Sequence, residues 1–414
     1  MKKTITLQNT YCSNYDYGKL CNVTVEVIDS PTTPLIHQTS RFWLIMNGRG
    51  IVKLQDREYE LKPGTLVSVL PWQISDIIQV TEPLQYYLLA YYFDNINTVI
   101  KSIYNLNHSS INLIEEMGKN PVLYCNKIEL ASLQTLFNQL IDKTREETIT
   151  EEISSLRYLY IINKLVEIFI SFLLLSKQSP SSEPKSGFTI HKSDIFPYMY
   201  NNLSKKLTLA QLSAIFFMSE SSISNYIMQT TGLSFFDLLN EMRTSKTINF
   251  LLNTDLTIDE LAEILGFVDD SHINKVFSSR VGLNPYEFRK TYRRLNKLCG
   301  IPSNHRDYDI VSYIYRNYSD DLTPRETADK FHLSIKEMNT ILLYQVEKNF
   351  SDFLHFIRIN RASALLKSSD KSITDISMEI GYNNIKTFTR NFLKYRNMTP
   401  KDFRKNIELQ KSTL

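Results

Sequence analysis

Residues 257–289 read TIDELAEILGFVDDSHINKVFSSRVGLNPYEFR, and residues 372–404 read SITDISMEIGYNNIKTFTRNFLKYRNMTPKDFR. Both stretches place a glycine-aromatic pair, a phenylalanine, a proline and a Phe-Arg pair at the same spacing. The match extends without a gap to residues 194–289 against 309–404, at a constant offset of 115 residues. A register held over this length indicates a duplicated domain. We call residues 188–295 copy 1 and residues 306–406 copy 2.

Each copy contains two helix starts of one kind, which predict two helix-turn-helix motifs per copy. Thr208, Thr257 and Thr323 each stand three residues before a Gln or Glu, the pattern of a capping box, and Ser372 with Asp375 is a shorter variant. A short amphipathic helix and a tight junction follow each start. A second helix is then predicted over 222–231, 271–281, 337–346 and 386–396. The second helix of such a motif can enter the major groove of DNA, which is about 12 Å wide.

Polar and basic residues on these second helices are the candidate DNA-binding residues, because such side chains can read base edges and neutralise phosphates. The predicted set is Ser221, Ser224, Asn225, His272, Asn274, Lys275, Lys336, Asn339, Thr340, Lys386, Thr387, Thr389, Arg390 and Lys394. Helices predicted over 236–251 and 351–366 would hold the two recognition helices of a copy about one DNA turn, roughly 34 Å, apart. The alternative is an all-helical scaffold that has kept the packing and lost contact with DNA.

The front of the chain has a different pattern. Short apolar runs separated by turn residues between 23 and 94 predict a small antiparallel β-barrel or sandwich, with a type II turn at Pro63-Gly64. Two helices are predicted over 128–142 and 151–175, and the second is apolar nearly all round. They would form a dimer interface or pack on the open side of the barrel. The predicted division is a sensor domain over 1–120, a helical dimerisation or linker unit over 121–176 and a flexible linker over 177–187.

The repeated region resembles the DNA-binding domain of the AraC/XylS transcription regulators. The resemblance rests on Ile258, Glu260-Leu261-Ala262, Gly266-Phe267, Phe277, Gly282, Pro285 and Phe288-Arg289, and on their counterparts from Ile373 to Phe403-Arg404. It implies two all-α domains behind a cupin-like sensor domain, and hence a multidomain α+β chain. Asn225, Met228, Thr340 and Leu343 depart from the basic residues usual in that family, and a tandem pair of domains is unusual for it.

A sensor barrel of this size can enclose one small ligand. Trp43, Trp72 and Tyr87 are candidate ring-stacking residues and Arg41 a candidate carboxylate ligand, unless both tryptophans simply pack the barrel. The alternative interpretation of this domain is a metal-dependent enzyme. His37 is the only histidine between 23 and 94, so the sequence predicts no metal site, no cofactor and no catalysis there.

The sequence as a whole favours a cytoplasmic bacterial transcription regulator that binds double-stranded DNA. Residues 186–414 carry 30 Lys or Arg against 25 Asp or Glu, whereas residues 1–185 carry 17 against 19, so the basic half is the repeated one. The four cysteines form no CxxC pair, and no export signal or membrane span is indicated. A homodimer and a small-molecule effector are expected. The alternative is a regulator in which one copy is a protein-interaction scaffold, docking for example on RNA polymerase, and only the other copy binds DNA.

Overall fold

Eight strands near the start of the chain and a long series of helices make up the fold, as shown by a computed structural model. It describes residues 6–7, 20–32, 34–36, 39–93, 96–97, 99–100, 113–145, 151–178, 192–204, 207–298 and 306–412. His37 and residues 179–187 of the predicted linker lie outside these ranges. The chain divides into two compact units, Met1–Asn304 and His305–Leu414. Copy 1 therefore belongs to the same unit as the β-domain, and copy 2 is the second unit.

The strands form one sheet that is antiparallel except for its first pair, β1 and β3. The strands are β1 (Thr6–Leu7), β2 (Cys21–Ile28), β3 (Leu35–Ile36), β4 (Ser40–Leu54), β5 (Arg57–Leu61), β6 (Thr65–Val69), β7 (Ile74–Tyr91) and β8 (Val122–Tyr124). The two long strands, β4 and β7, pair along their length, β2 and β3 add to β7, and β5 and β6 add to β4. The predicted antiparallel β-domain is therefore confirmed.

The sheet bends where the register of β4 against β7 shifts, between Ile45 and Gly50. Gly48 lies at this bend with φ +88°, and a Cβ there would come within 2.0 Å of the Pro83 carbonyl oxygen. The bend lets both ends of β4 pack into one apolar core, to which Trp43 contributes from one end and Leu54 from the other. The Pro63-Gly64 turn also forms as predicted, because Gly64 has φ +89° and Thr65 N–H donates to Lys62 O at 2.9 Å.

The helices with described bounds between β7 and copy 1 are α1 (Leu113–Lys119), α2 (Lys127–Arg145) and α3 (Glu151–Gln178). The inner side of α3 packs on the outer face of the sheet, where the Phe169 ring lies 5.3 Å from Phe42 and 5.0 Å from Tyr91. Among the described residues α3 is the one helix long and apolar enough to cross a membrane, a test that core helices also pass. It runs two residues into the predicted linker.

Each copy consists of seven described helices in the same order, of which the first differs most in length, with 6 residues in copy 1 and 11 in copy 2. Copy 1 holds α4 (Ile195–Tyr200), α5 (Leu209–Phe216), α6 (Glu220–Thr231), α7 (Phe235–Asn253), α8 (Ile258–Leu265), α9 (Asp270–Val281) and α10 (Pro285–Leu298). Copy 2 holds α11 (Arg306–Arg316), α12 (Pro324–Lys330), α13 (Ile335–Val346), α14 (Phe350–Ser368), α15 (Ile373–Glu379), α16 (Ile385–Arg396) and α17 (Pro400–Ser412). The predicted helices are confirmed to within a few residues at each end.

The helix starts behave largely as their sequences predict. Reciprocal capping boxes form at Thr208 and Thr257. At Thr323 the hydroxyl accepts from Glu326 N–H but donates to the Glu326 carboxylate at 2.7 Å, so the box is only half formed. A further box forms at Ser334 with Glu337, which the sequence analysis did not single out.

The β-domain and copy 1 share an apolar core. Ile36, Trp72 and Ile74 of the β-domain pack in one cluster with residues of α4 to α7. The Trp72 ring lies 5.9 Å from the ring of Tyr200, and Ser193 Oγ donates to Asp56 Oδ2 at 2.6 Å. The first motif of copy 1 is thereby attached to the sheet.

Candidate nucleic-acid interface

Four helix-turn-helix motifs are present, and each turn contains a residue in the left-handed backbone region. These residues are Phe217 (φ +53°), Gly266 (+73°), His332 (+52°) and Gly381 (+87°). The recognition helices α6, α9, α13 and α16 then start at Ser219, Asp269, Ser334 and Asn384, whose side chains accept from backbone N–H groups. Both motifs of each copy thus have the local geometry that the motif requires.

Several arginines shared by the two copies hold the fold together. Arg243 donates through Nε and Nη2 to Leu203 O at 3.2 and 3.0 Å. Its counterpart Arg358 donates to Tyr318 O at 2.7 Å and to Asp320 O at 2.8 Å. Arg404 likewise donates to Lys371 O at 2.7 Å. These guanidinium groups satisfy loop carbonyls and are not part of the candidate interface.

Helix α16 of copy 2 presents the most basic surface of the four recognition helices. Lys386, Arg390 and Lys394 are exposed on it, one turn apart, and Thr387 and Thr389 are half-buried beside them. Lys394 Nζ lies 3.0 Å from Asp352 Oδ1 on α14. Arg396, at the end of the helix, bonds Ser363 Oγ and Asn360 Oδ1 and is structural.

Helix α13, the recognition helix of the first motif of copy 2, carries a weaker version of this surface. Lys336 and Thr340 are exposed, and Thr340 Oγ1 donates to Lys336 O at 3.0 Å. Asn339 Oδ1 accepts from Phe350 N–H at 2.8 Å, where it fixes the start of α14. The amide oxygen of Asn339 therefore serves the fold, a role that its position in the sequence did not predict.

In copy 1 the predicted readers of α9 are only partly exposed. The His272 ring packs on Phe267 at 5.6 Å, and Asn274 Nδ2 donates to Asp270 O at 2.8 Å. Lys275 is exposed. On α6, Ser221 and Asn225 are exposed and Ser224 is half-buried, while Ile223 and Ile227 on the opposite side belong to the core shared with the β-domain. All the DNA-binding residues predicted from sequence stay predictions.

His355 was not found from the sequence, because no motif marks it. It stacks on Tyr382 with ring centroids 5.5 Å apart, and its Nδ1 is hydrogen-bonded to Tyr382 Oη at 2.9 Å. Burial lowers the pKa of the His355 imidazole, and the Arg358 guanidinium acts in the same direction. Burial also raises the pKa of Tyr382 to about 12. The Arg390 guanidinium also lowers the pKa of the His355 imidazole, so His355 and Tyr382 lie next to the basic surface of α16.

The four predicted effector residues do not line one pocket. Arg41 and Trp43 lie together, with the guanidinium carbon 5.6 Å from the indole centroid and Nη2 donating to Ser75 Oγ at 3.0 Å. Trp72 instead lies in the core shared with copy 1. Tyr87 is on the other face of the sheet, where its hydroxyl donates to Asn138 Oδ1 at 2.7 Å. An effector site around Arg41 and Trp43 therefore stays a prediction, and Trp72 and Tyr87 lie apart from it.

Two family models match the chain. A model described as an AraC-like ligand binding domain matches residues 26–158. A model described as a helix-turn-helix domain matches twice, at residues 212–291 and 327–406. The two helix-turn-helix matches fall on copy 1 and copy 2, and the ligand-binding match covers most of the sheet together with α1 and α2.

Curated relatives agree with these models. The HTH-type transcriptional regulator YfiF of Bacillus subtilis is 24% identical over 264 residues, 63% of this chain and 80% of YfiF. The melibiose operon regulatory protein of Escherichia coli is 29% identical over 132 residues, 32% of this chain and less than half (44%) of that protein. A structure of ToxT from Vibrio cholerae matches 66% of this chain and 98% of its own at 15% identity, with a TM-score of 0.28 that supports no conclusion about function.

The matched models together span most of the described sheet, helices and both repeats, and the curated relatives are transcription regulators. The chain therefore belongs to the AraC family of transcription regulators, with an AraC-like ligand-binding domain followed by two helix-turn-helix domains.

Proposed function

We propose that this protein is a cytoplasmic bacterial regulator that binds specific double-stranded DNA sequences and responds to a small molecule, with no catalytic role. The observation that carries the proposal is the exposed basic face of α16, formed by Lys386 and Arg390 on an intact helix-turn-helix motif. Lysine neutralises phosphate, and arginine can donate two hydrogen bonds to a guanine edge. A single surface thus combines the two kinds of contact that sequence-specific binding needs.

Selection from random double-stranded DNA by the full-length protein tests this function. The proposal expects enrichment of one sequence, to which the protein binds more tightly than to scrambled DNA by a factor of about 10³ or more. The Arg390→Ala variant is the control for this selection. Loss of an exposed side chain leaves the fold intact, so weaker enrichment in this variant would reflect a lost contact with DNA. Retention of random sequences with no enrichment would contradict sequence-specific recognition.

The effector site of this proposal lies in the β-domain around Arg41 and Trp43. Both side chains are almost fully buried, and a guanidinium beside an indole suits a carboxylate or a sugar. Screening monosaccharides and small carboxylates by thermal shift would test it. A compound that stabilises the wild type and not an Arg41→Met variant is the expected result. The alternative that Trp43 only packs the core predicts no such compound.

Homodimerisation through α3 is also part of the proposal. Its outward stripe exposes Leu156, Leu159, Ile170 and Leu174, each at 46% or more of its surface, on either side of exposed Asn163 and Glu167. An exposed apolar stripe of this kind marks an interaction surface. An antiparallel pair of α3 helices would set apolar ends against each other and bring the Asn163 amide opposite the Glu167 carboxylate of the second copy.

A second candidate function is a regulator in which one copy docks on a protein, for example RNA polymerase. Two exposed apolar side chains favour it, Phe217 and Val268, because copy 2 has polar His332 and Asn383 at the same positions. Salt separates the candidates: DNA affinity falls steeply with salt, with a slope that counts the phosphates neutralised. A protein complex held by apolar contacts would persist.

A further inference from the structure

The exposed residues of equivalent recognition helices differ sharply in charge between the two copies. The second motifs can be compared position by position, since α9 and α16 have the same length and the same burial pattern at their inner face. Three outward positions of α16 hold Lys386, Arg390 and Lys394, and the equivalent positions of α9 hold Ser271, Lys275 and Ser279. Copy 1 therefore retains one of three cations at this surface.

The first motifs show the same trend. The outward positions of α13 hold Lys336, Thr340 and Leu343, and those of α6 hold Ser221, Asn225 and Met228. Helix α6 contains no lysine or arginine at all. Over the two recognition helices of each copy, copy 2 thus has four outward cations, of which Lys394 is paired with Asp352, and copy 1 has one.

Acidic residues at the start of α9 add to this difference. Asp269 caps the helix by accepting from His272 N–H at 2.7 Å, and Asp270 beside it is exposed. Copy 2 caps α16 with neutral Asn384, which accepts from Lys386 N–H at 2.8 Å, followed by Ile385. The cap does not require a charge, and the start of a recognition helix is the part that meets base edges. Two carboxylates there oppose the approach of phosphate groups.

The remaining cations of copy 1 near this surface are used by the fold. Arg280 Nε lies 2.8 Å from Glu241 Oε2, which leaves Lys275 as the exposed cation of α9. Across 257–281 there are five acidic and two basic residues, whereas 372–396 has two acidic and four basic. The two second motifs thus carry net charges of opposite sign.

We infer that copy 2 makes the dominant DNA contact, with Arg390 reading a base and Lys386 neutralising a phosphate, and that copy 1 adds little to DNA affinity. Asp269 and Asp270 keep α9 from close contact with the duplex. The inference rests on the proposed function, since it assigns sequence-specific binding to one of two repeated domains.

Fluorescence anisotropy with the full-length protein and its selected DNA site, repeated over a range of salt, tests the inference. Arg390→Ala should weaken binding about 10- to 100-fold, as expected for loss of a bidentate base contact. Lys386→Ala should reduce the slope of log affinity against log salt by about 1. The matched Lys275→Ala variant in copy 1 should change affinity by less than about twofold. A double Asp269→Asn, Asp270→Asn variant that keeps a capping side chain should raise affinity, because it removes the two carboxylates that oppose phosphate.

Several outcomes would overturn the inference. A loss of affinity in Lys275→Ala as large as that in Arg390→Ala would place α9 on the DNA equally. Unchanged affinity of the double Asp variant would show that these two carboxylates do not keep α9 from the duplex. Arg390→Lys keeps the charge and removes the paired donors, so full affinity and specificity in this variant would exclude base reading by Arg390. Failure of the wild type to bind any DNA would contradict the proposed function itself.

Discussion

Glu347 and Asn397 end recognition helices with a backbone that favours glycine. Glu347 has φ +59° and Asn397 φ +56°, at the positions where copy 1 has Gly232 and Gly282. The left-handed region costs a residue with a Cβ about 1 kcal/mol, and asparagine tolerates it better than glutamate does. The sequence alone marks the missing glycines, and the structure shows that the backbone is nevertheless unchanged.

Replacing Glu347 by glycine should therefore stabilise copy 2. We expect the free energy of unfolding to rise by about 0.5–1 kcal/mol, because relief of the left-handed strain outweighs the greater freedom of glycine in the unfolded chain. Urea unfolding of the full-length protein, followed at the transition of copy 2, measures this change in the free energy of unfolding. Gly232→Glu in copy 1 is the matched reverse change and should destabilise. A lower stability for Glu347→Gly would contradict the account.

His355 should make copy 2 sensitive to acid. Its pKa is lowered from 6.5 in the folded protein, chiefly by burial, with Arg358, Lys394 and Arg390 acting in the same direction and Asp352 against it. The unfolded chain then takes up the proton more readily, so this contribution is complete above pH 6.5 and is lost as the pH falls below it.

The expected result is a fall in the urea midpoint of copy 2 between pH 7.5 and pH 5.5. His355→Asn should flatten that fall, because it removes the titrating group. The variant should still fold, because copy 1 has Asn240 at the equivalent position and folds with it. Equal losses in wild type and variant would show that other groups cause the acid sensitivity.

Among the single elements, α3 shows that the sequence of an apolar helix does not indicate which of its faces is buried. Its inner side is core: Leu165, Phe169 and Phe172 are fully buried. The outer side of α3 is apolar at both ends of the helix, and a monomer does not need exposed apolar side chains there. Periodicity predicted the helix but not which of its faces the sheet covers, because that depends on how β4 and β7 bend.

An Ile170→Glu substitution tests the exposed stripe. It places a charge in the proposed interface between two copies and leaves the buried side of α3 intact, so the dimer should dissociate while the fold remains. Light scattering after size-exclusion chromatography should show a mass near the 48.3 kDa of one chain for the variant. Lys177→Ala, at the end of the same helix, should leave the wild-type mass unchanged. Identical masses for wild type and Ile170→Glu would contradict dimerisation through this face.

For the whole molecule, local and long-range signals differ in how far the sequence could predict them. The repeat, the helix starts and the Pro63-Gly64 turn rest on short-range patterns and agree with the structure. The packing of Trp72 against copy 1 depends on segments far apart in the sequence, and the bond from Phe350 N–H to Asn339 depends on how α13 and α14 meet. No pattern within one element could have predicted them.

We expect this chain to bind specific DNA, with copy 2 contributing most of the contact. Footprinting on the selected site measures it most directly. We expect about 20 protected base pairs per chain, since two recognition helices one DNA turn apart cover about that length. Arg390→Ala should remove the footprint and Lys275→Ala should keep it. Protection of about 40 base pairs per chain, reduced equally by both variants, would show all four motifs on DNA and contradict the account.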